Sequence, residues 1–120
     1  MSDSFYQYET LPLELVLVDD VGDPIPGVLD EAEQVVVSLD QPEVAHVDYT
    51  GDEVELEPEA STVIVRMPQE DTAKFERARI GRCCNTTAKV QVNLLYTDGT
   101  RLASEAGGLE VLDNLFKRVM

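Results

Sequence analysis

Apolar and polar residues alternate along much of the chain, most clearly in KVQVNLLYTDGTRLASE at positions 89–105. In an extended chain, one side carries Val90, Val92, Leu94 and Tyr96, and the other carries Lys89, Gln91, Asn93 and Thr97. A period of two is typical of a half-buried strand, and Asp98-Gly99 then predicts a tight turn that makes this segment a β-hairpin.

Similar patterns predict further strands on both sides of this hairpin. Leu11, Leu13, Leu15 and Leu17 alternate in LPLELVLVDD, where Pro12 favours an edge strand because proline has no N–H to donate. In EVAHVDY two phases compete, with either Val44 or the pair Val47 and Tyr49 facing inward. The other candidate strands are QVVVSLD, EVELEPE, STVIVRM and GGLEVL.

One segment, PQEDTAKFERAR at positions 68–79, has the features of a helix of one to three turns. Pro68 suits the first helical position, acidic residues follow it, and arginines come near the end, as the helix dipole favours. Seven or eight short strands with turn signals every 8 to 12 residues, and one short helix in a crossover, predict a mainly β, antiparallel β-sandwich. The length of 120 residues predicts a single domain spanning 1–120.

Composition narrows the possible functions. The chain is 43% hydrophobic without a tryptophan, which suits a core of Val, Leu and Ile. No stretch approaches the roughly 20 apolar residues that a membrane span needs, so we expect no membrane partner. The net charge of -15 provides no basic footprint, so we expect no binding to a nucleic-acid backbone.

The charge is distributed unevenly between the two halves of the sequence. Residues 1–60 contain 17 acids and no Lys or Arg, hence -17, whereas residues 61–120 contain 7 acids and all 9 bases, hence +2. Solvated acids that keep the chain dispersed would explain this pattern. An oriented contact would also explain it, either head to tail between copies or between the acidic side and a basic partner.

Candidate chemistry is sparse. His46 is the only histidine, and no partner stands at a spacing typical of a catalytic triad or a metal site. Cys83 and Cys84 are adjacent, and we interpret them as reduced structural thiols, with a redox pair as the alternative. The segment DDVGD at 19–23 lacks the ligand spacing of a calcium loop and reads as an acidic turn. We therefore predict no enzyme activity and no cofactor.

Three segments together resemble small proteins encoded in the tail regions of phages and prophages of Gram-positive bacteria. They are FYQYETLPLELVLVDD, VIVRMPQEDTAKF and AKVQVNLLYTDGTRLASEAGGLEVLDNL, in chain order. The named group that they resemble is the immunoglobulin-like N-terminal domain of phage baseplate upper proteins. The matching positions are Phe5, Tyr6, Gln7, Gln69, Glu70, Asp71, Thr72, Phe75, Gln91, Asp98, Gly99 and Ser104.

The resemblance implies an immunoglobulin-like sandwich and a virion-associated protein that is produced in the bacterial cytoplasm. The expected partners are other phage tail or baseplate proteins, with a homo-oligomer as a further possibility. Tyr8 departs from the family pattern, since glycine is commoner there. We take Phe5, Tyr6 and Leu95 as candidate protein contacts, Leu95 because it is the odd apolar residue on a polar strand face.

Two other functions fit parts of the sequence. A small, strongly acidic protein can inhibit a nucleic-acid enzyme by mimicking DNA, with carboxylates spaced like phosphates. A ligand-binding β-sandwich module is the other, although four tyrosines and no tryptophan offer little aromatic surface for a sugar.

Overall fold

The computed structural model describes residues 3–75, 87–104, 107–112 and 118. Nine strands lie within these ranges. They are β1 (Asp3–Tyr6), β2 (Leu11–Val16), β3 (Ala32–Gln41), β4 (Ala45–Thr50), β5 (Val54–Glu57), β6 (Thr62–Met67), β7 (Thr87–Tyr96), β8 (Arg101–Ala103) and β9 (Gly107–Leu112). The α-helix in these ranges, α1 (Gln69–Thr72), is a single turn, and two 3-10 turns lie at Gly51–Glu53 and Pro58–Ala60.

The larger sheet has six strands in the order β1-β9-β7-β3-β4, with β8 also pairing with β7. Its centre is the antiparallel pair of the two longest strands, in which Val37 lies opposite Val92 and Asp40 lies opposite Lys89. β1 joins the edge in parallel with β9, and the other pairs are antiparallel.

The smaller sheet has three antiparallel strands in the order β2-β6-β5. β2 is therefore an edge strand, as Pro12 predicts. β6 is covered on both sides, since Val63 and Val65 face the core while Ile64 lies on the outer face between Glu14 and Glu55. The aliphatic stems of such glutamates cover an isoleucine while their carboxylates stay in water.

The two sheets form an immunoglobulin-like sandwich. The order β9-β7-β3-β4 facing β2-β6-β5 is the strand order of immunoglobulin domains, and β1 extends the first sheet through its parallel pair with β9. The helix α1 lies in the crossover from β6 in the small sheet to β7 in the large one, as predicted. Pro68 precedes the helix as its N-cap instead of occupying its first position. Residues 76–79 of the predicted helix lie outside the described residues.

The core is built from the alternation seen in the sequence. Val35, Val37 and Leu39 of β3 are buried against Val63, Val65 and Met67 of β6. The ambiguity in β4 is resolved in favour of Val47 and Tyr49, which are buried, whereas Val44 is 41% exposed. β1 is the strand that the alternation did not predict, because its four residues are too few to show a period.

Phe5 belongs to this core, so its prediction as a protein contact is wrong. Its side chain is 1% exposed, and its ring meets the buried ring of Phe75 edge to face at 5.8 Å between centroids. The following residue, Tyr6, points outward and is 51% exposed. The sequence could not separate the two roles because the strand is too short.

Three non-glycine residues have a left-handed backbone, at Tyr8 (φ 66°), Glu43 (φ 67°) and Ser61 (φ 50°). The positive φ of Tyr8 is a conformation that glycine adopts without strain. Glu43 lies in the tight turn between β3 and β4, where the Val44 N–H donates to the Gln41 carbonyl.

Replacing Glu43 by glycine should stabilise the fold. The left-handed conformation costs a residue with a side chain about 1–2 kcal/mol, and the greater flexibility of glycine offsets about half of this, leaving a gain of about 0.5–1 kcal/mol. Urea unfolding measures the change. Glu43→Ala is the matched control because it removes the same exposed carboxylate but keeps Cβ, and an equal gain from both variants contradicts the backbone explanation.

Phe5→Ala and Tyr6→Ala should differ sharply although the residues are adjacent. Loss of the buried ring of Phe5 should lower the free energy of unfolding by about 3–5 kcal/mol, and loss of the exposed ring of Tyr6 by less than about 1 kcal/mol. Similar losses in a denaturant titration would show that the burial of Phe5 is misassigned.

Candidate protein-contact surface

The outer face of the larger sheet carries a regular grid of side chains on β3, β4, β7 and β8. These side chains point outward because the residues between them on β3 and β7 are buried in the core. We call this surface the balanced face. It consists of Gln34, Val36, Ser38, Asp40, His46, Asp48, Thr50, Lys89, Gln91, Asn93, Leu95, Arg101 and Ala103.

Charges cancel on the balanced face. Two carboxylates, Asp40 and Asp48, stand on β3 and β4, and two cations, Lys89 and Arg101, stand on β7 and β8. With His46 neutral the face has no net charge, so the formal charge of -15 lies entirely on the rest of the chain. The two carboxylates come from the first half of the sequence and the two cations from the second half. The face therefore has an acidic side on β3 and β4 and a basic side on β7 and β8.

Hydrogen bonds fix several polar side chains of this face. The Ser38 hydroxyl donates to Asp48, and the Gln91 amide donates to the Ser104 carbonyl at 2.8 Å. Arg101 donates through Nε and Nη2 to Asn93 Oδ1 at 3.3 and 3.2 Å. Side chains that are already held in place lose less conformational entropy when a partner covers them.

His46 stands between the two carboxylates of the face. Its Nδ1 lies 3.1 Å from Asp40 Oδ1, and its Nε2 lies 2.9 Å from Asp48 Oδ1. The hydrogen bond to Asp40, assisted by that to Asp48 and by both negative charges, raises the pKa of His46 above its usual value, against a smaller effect of burial. The Asp48 pKa is lowered, first by the Ser38 hydroxyl and then by His46.

Ser38, Asp48 and His46 are close together, but they are not connected as a nucleophile and its base. In such a pair the histidine accepts the hydroxyl proton. Here the hydroxyl donates to Asp48, and both ring nitrogens of His46 face carboxylates. The cluster therefore orders side chains and does not activate the serine.

A second feature is an acidic depression of about 360 Å³ beside the turn from β4 to β5. Within it, Arg66 donates to Glu55, and the Tyr49 hydroxyl donates to Asp71 Oδ2 at 2.6 Å. Desolvation, followed by the Asp71 hydrogen bond and charge, raises the pKa of Tyr49 far above its usual value, so it stays a neutral donor. The lining residues are Tyr49, Asp52, Glu53, Glu55, Ile64, Arg66, Pro68 and Asp71.

The acidic segment at 19–23 forms a compact turn. Asp19 Oδ1 accepts hydrogen bonds from the Val21 and Asp23 N–H groups, both at 3.0 Å, so this carboxylate oxygen already satisfies the backbone. Across the described ranges, no group of three or more His, Cys, Asp or Glu side chains is arranged to hold a metal ion.

Two of the three candidate contact residues lie at the surface, and their role in a contact stays a prediction. Leu95 lies on the outer face as expected and is half-buried between Gln34 and Arg101, and Tyr6 is exposed near the sheet edge. The pairing of Asp40 with Lys89 was missed, because strand register cannot be read from a single strand. Cys83 and Cys84 lie outside the described residues.

Comparisons with known proteins add no relative to this description. No family model matches the chain, and no curated protein matches it. Within the described part of the chain, no helix has the length and apolar character to cross a bilayer.

The pKa of His46 provides a direct test of the cluster. Since the folded pKa is raised, protonation of His46 stabilises the fold below its unfolded pKa, and this contribution is lost as pH rises through the folded pKa. His46→Gln should therefore lower stability more at about pH 5.5 than at about pH 8.5.

The ring signals of this single histidine give its pKa by NMR without ambiguity. Asp40→Asn should lower the pKa because Asp40 contributes most to the shift. Glu14→Gln, on the outer face of the other sheet, is the control and should leave it unchanged. A His46 pKa that does not respond to Asp40→Asn contradicts the arrangement.

Proposed function

We propose that this chain is a non-enzymatic structural or accessory protein of a phage or prophage that acts through protein–protein contacts in a tail or baseplate-like assembly. The observation that carries the contact role is the balanced face, a sheet surface whose charges cancel on a chain of net charge -15. The sequence resemblance carries the phage setting.

A contact role is supported by the energetics of the face. Protein interfaces are depleted of charged residues at their cores, and a charge that is covered there needs an opposite partner, because an unpaired charge loses hydration without compensation. Val36 and Leu95 are half-buried at diagonal positions in two adjacent rows at one end of the grid, and Ala103 lies beside Asn93 in the row of Val36. Polar side chains with hydrogen-bond partners surround them, as in a small interface with a polar rim.

The phage setting is supported by the three resembling segments, which lie in order between positions 5 and 115 of the chain. The immunoglobulin-like sandwich implied by the resemblance agrees with the observed strand order. In this proposal the chain is produced in the bacterial cytoplasm, becomes virion-associated and has other tail or baseplate proteins as partners.

An acidic inhibitor that mimics DNA is the second candidate, and the outer face of the small sheet favours it. Glu14, Glu55 and Glu57 are exposed there, and the acidic depression continues this surface towards Asp52 and Glu53. A basic nucleic-acid enzyme would be attracted to such a surface with a steep dependence on salt.

Fractionation of phage particles tests the assembly role. After induction of a lysogen that encodes the chain, particles are separated from free protein on a density gradient, and each fraction is quantified by mass spectrometry. The chain should sediment with tail proteins at a fixed ratio across the particle peak. An abundant host enzyme serves as the control for trapped cytoplasm.

Recovery of the chain only in the free fraction contradicts the assembly role. Salt-sensitive capture of a nucleic-acid enzyme by the same free protein would then favour the inhibitor.

A further inference from the structure

We propose that the balanced face binds a second copy of this chain, about a two-fold axis that runs parallel to the strands and midway between β3 and β7. The inference deepens the proposed function, on which it rests for the view that this face is a contact surface. It adds the identity of the partner and the residues that meet.

The register of the central strands makes the face self-complementary. Each outward residue of β3 has its row partner on β7, from Gln34 opposite Leu95 to Asp40 opposite Lys89. The proposed axis exchanges the two strands and keeps the rows, so Asp40 meets the partner's Lys89, and Lys89 meets the partner's Asp40. An isologous dimer forms every such contact twice.

The lateral arrangement of charge selects this axis. Asp40 and Asp48 occupy β3 and β4, while Lys89 and Arg101 occupy β7 and β8, so the proposed rotation sets Asp40 directly against the partner's Lys89 and places Asp48 two rows from the partner's Arg101. An axis across the strands would set Asp40 against the partner's Gln34 and Lys89 against the partner's Leu95, leaving each charge without its opposite. A partner surface whose charges all have one sign would be repelled by one side of the face.

The rest of the surface disfavours other contacts between copies. The outer face of the small sheet presents Glu14, Glu55 and Glu57 against Arg66 alone among its described charged side chains. Two such faces would repel each other, and the charge of -15 adds repulsion between any two copies. Two copies therefore repel each other least at the balanced face, where the charges already cancel.

The size of the face sets the expected strength. The face spans residues 34–40 of β3, 89–95 of β7, 46–50 of β4 and 101–103 of β8, which cover an area of about 360 Å² per copy at a strand spacing of ~4.8 Å and a rise of ~3.4 Å per residue. Burial of about 700 Å² in total lies below that of stable dimers, so we expect a weak dimer.

Two charge reversals test the geometry. Asp40→Lys and Lys89→Glu each set like charges against each other twice in the homodimer, so each should weaken dimerisation by about 10-fold or more. If net charge alone governed association, Asp40→Lys would strengthen it, because this variant is less acidic than the natural chain.

An equimolar mixture of the two variants provides the decisive measurement. In the mixed dimer, the new lysine meets the partner's new glutamate, and the unchanged Lys89 meets the partner's unchanged Asp40. The mixture should therefore dimerise about as strongly as the natural chain. Pairing within one chain cannot produce this recovery, because each variant keeps its own like-charged pair.

Sedimentation velocity over a concentration series up to about 1 mM, a range suited to weak association, measures each species. Glu14→Lys and Lys74→Glu make the same two charge changes at exposed positions off the face, and they should not show recovery on mixing. Circular dichroism and thermal unfolding establish that every variant folds.

Three outcomes overturn the proposal: a natural chain that stays monomeric, a dimer that neither face variant weakens, or a mixture that does not recover. A monomeric chain that still sediments with tail proteins would overturn the second copy as the partner while leaving the assembly role in place. A dimer that never enters particles would support the second copy and overturn the assembly role.

Discussion

Electrostatic repulsion among the carboxylates limits which surfaces of this protein can form contacts. The chain has 24 acids against 9 bases in 120 residues, so a uniform distribution would make every surface repel another copy and any other acidic protein. The fold instead gathers two cations and two carboxylates, with His46, on one sheet face. The acidic depression and the outer face of the small sheet carry part of the excess negative charge.

The core determines where those charges stand. Val37 and Leu39 face inward, so Ser38 and Asp40 must face outward. Pairing of β3 with β7 then brings Asp40 beside Lys89. Asp40 comes from the half of the sequence that has no Lys or Arg, and Lys89 comes from the half that contains all of them. A shift of one residue would turn these side chains inward, so the packing that stabilises the sandwich also fixes the pattern of charge.

The sequence predicted the strands themselves better than the pairing between them. Alternation identified the inward residues of β3 and β7, Pro12 indicated an edge, and Asp98-Gly99 indicated the hairpin. Phe5 was misjudged because β1 has four residues and little pattern. The pairing of Asp40 with Lys89, which are 49 positions apart in the sequence, could not be foreseen, because register depends on how distant strands dock. The position of His46 between two carboxylates depends on another pairing, that of β3 with β4, which sets Asp40 opposite His46.

The central claim is that copies of this protein meet through the balanced face. Backbone amide NMR spectra recorded across a concentration series test it most directly, because weak association shifts the signals of the residues that meet. The account predicts shifts that rise with concentration and concentrate on β3, β4, β7 and β8. Shifts confined to β2, β5 and β6, or the absence of any shift, would contradict it.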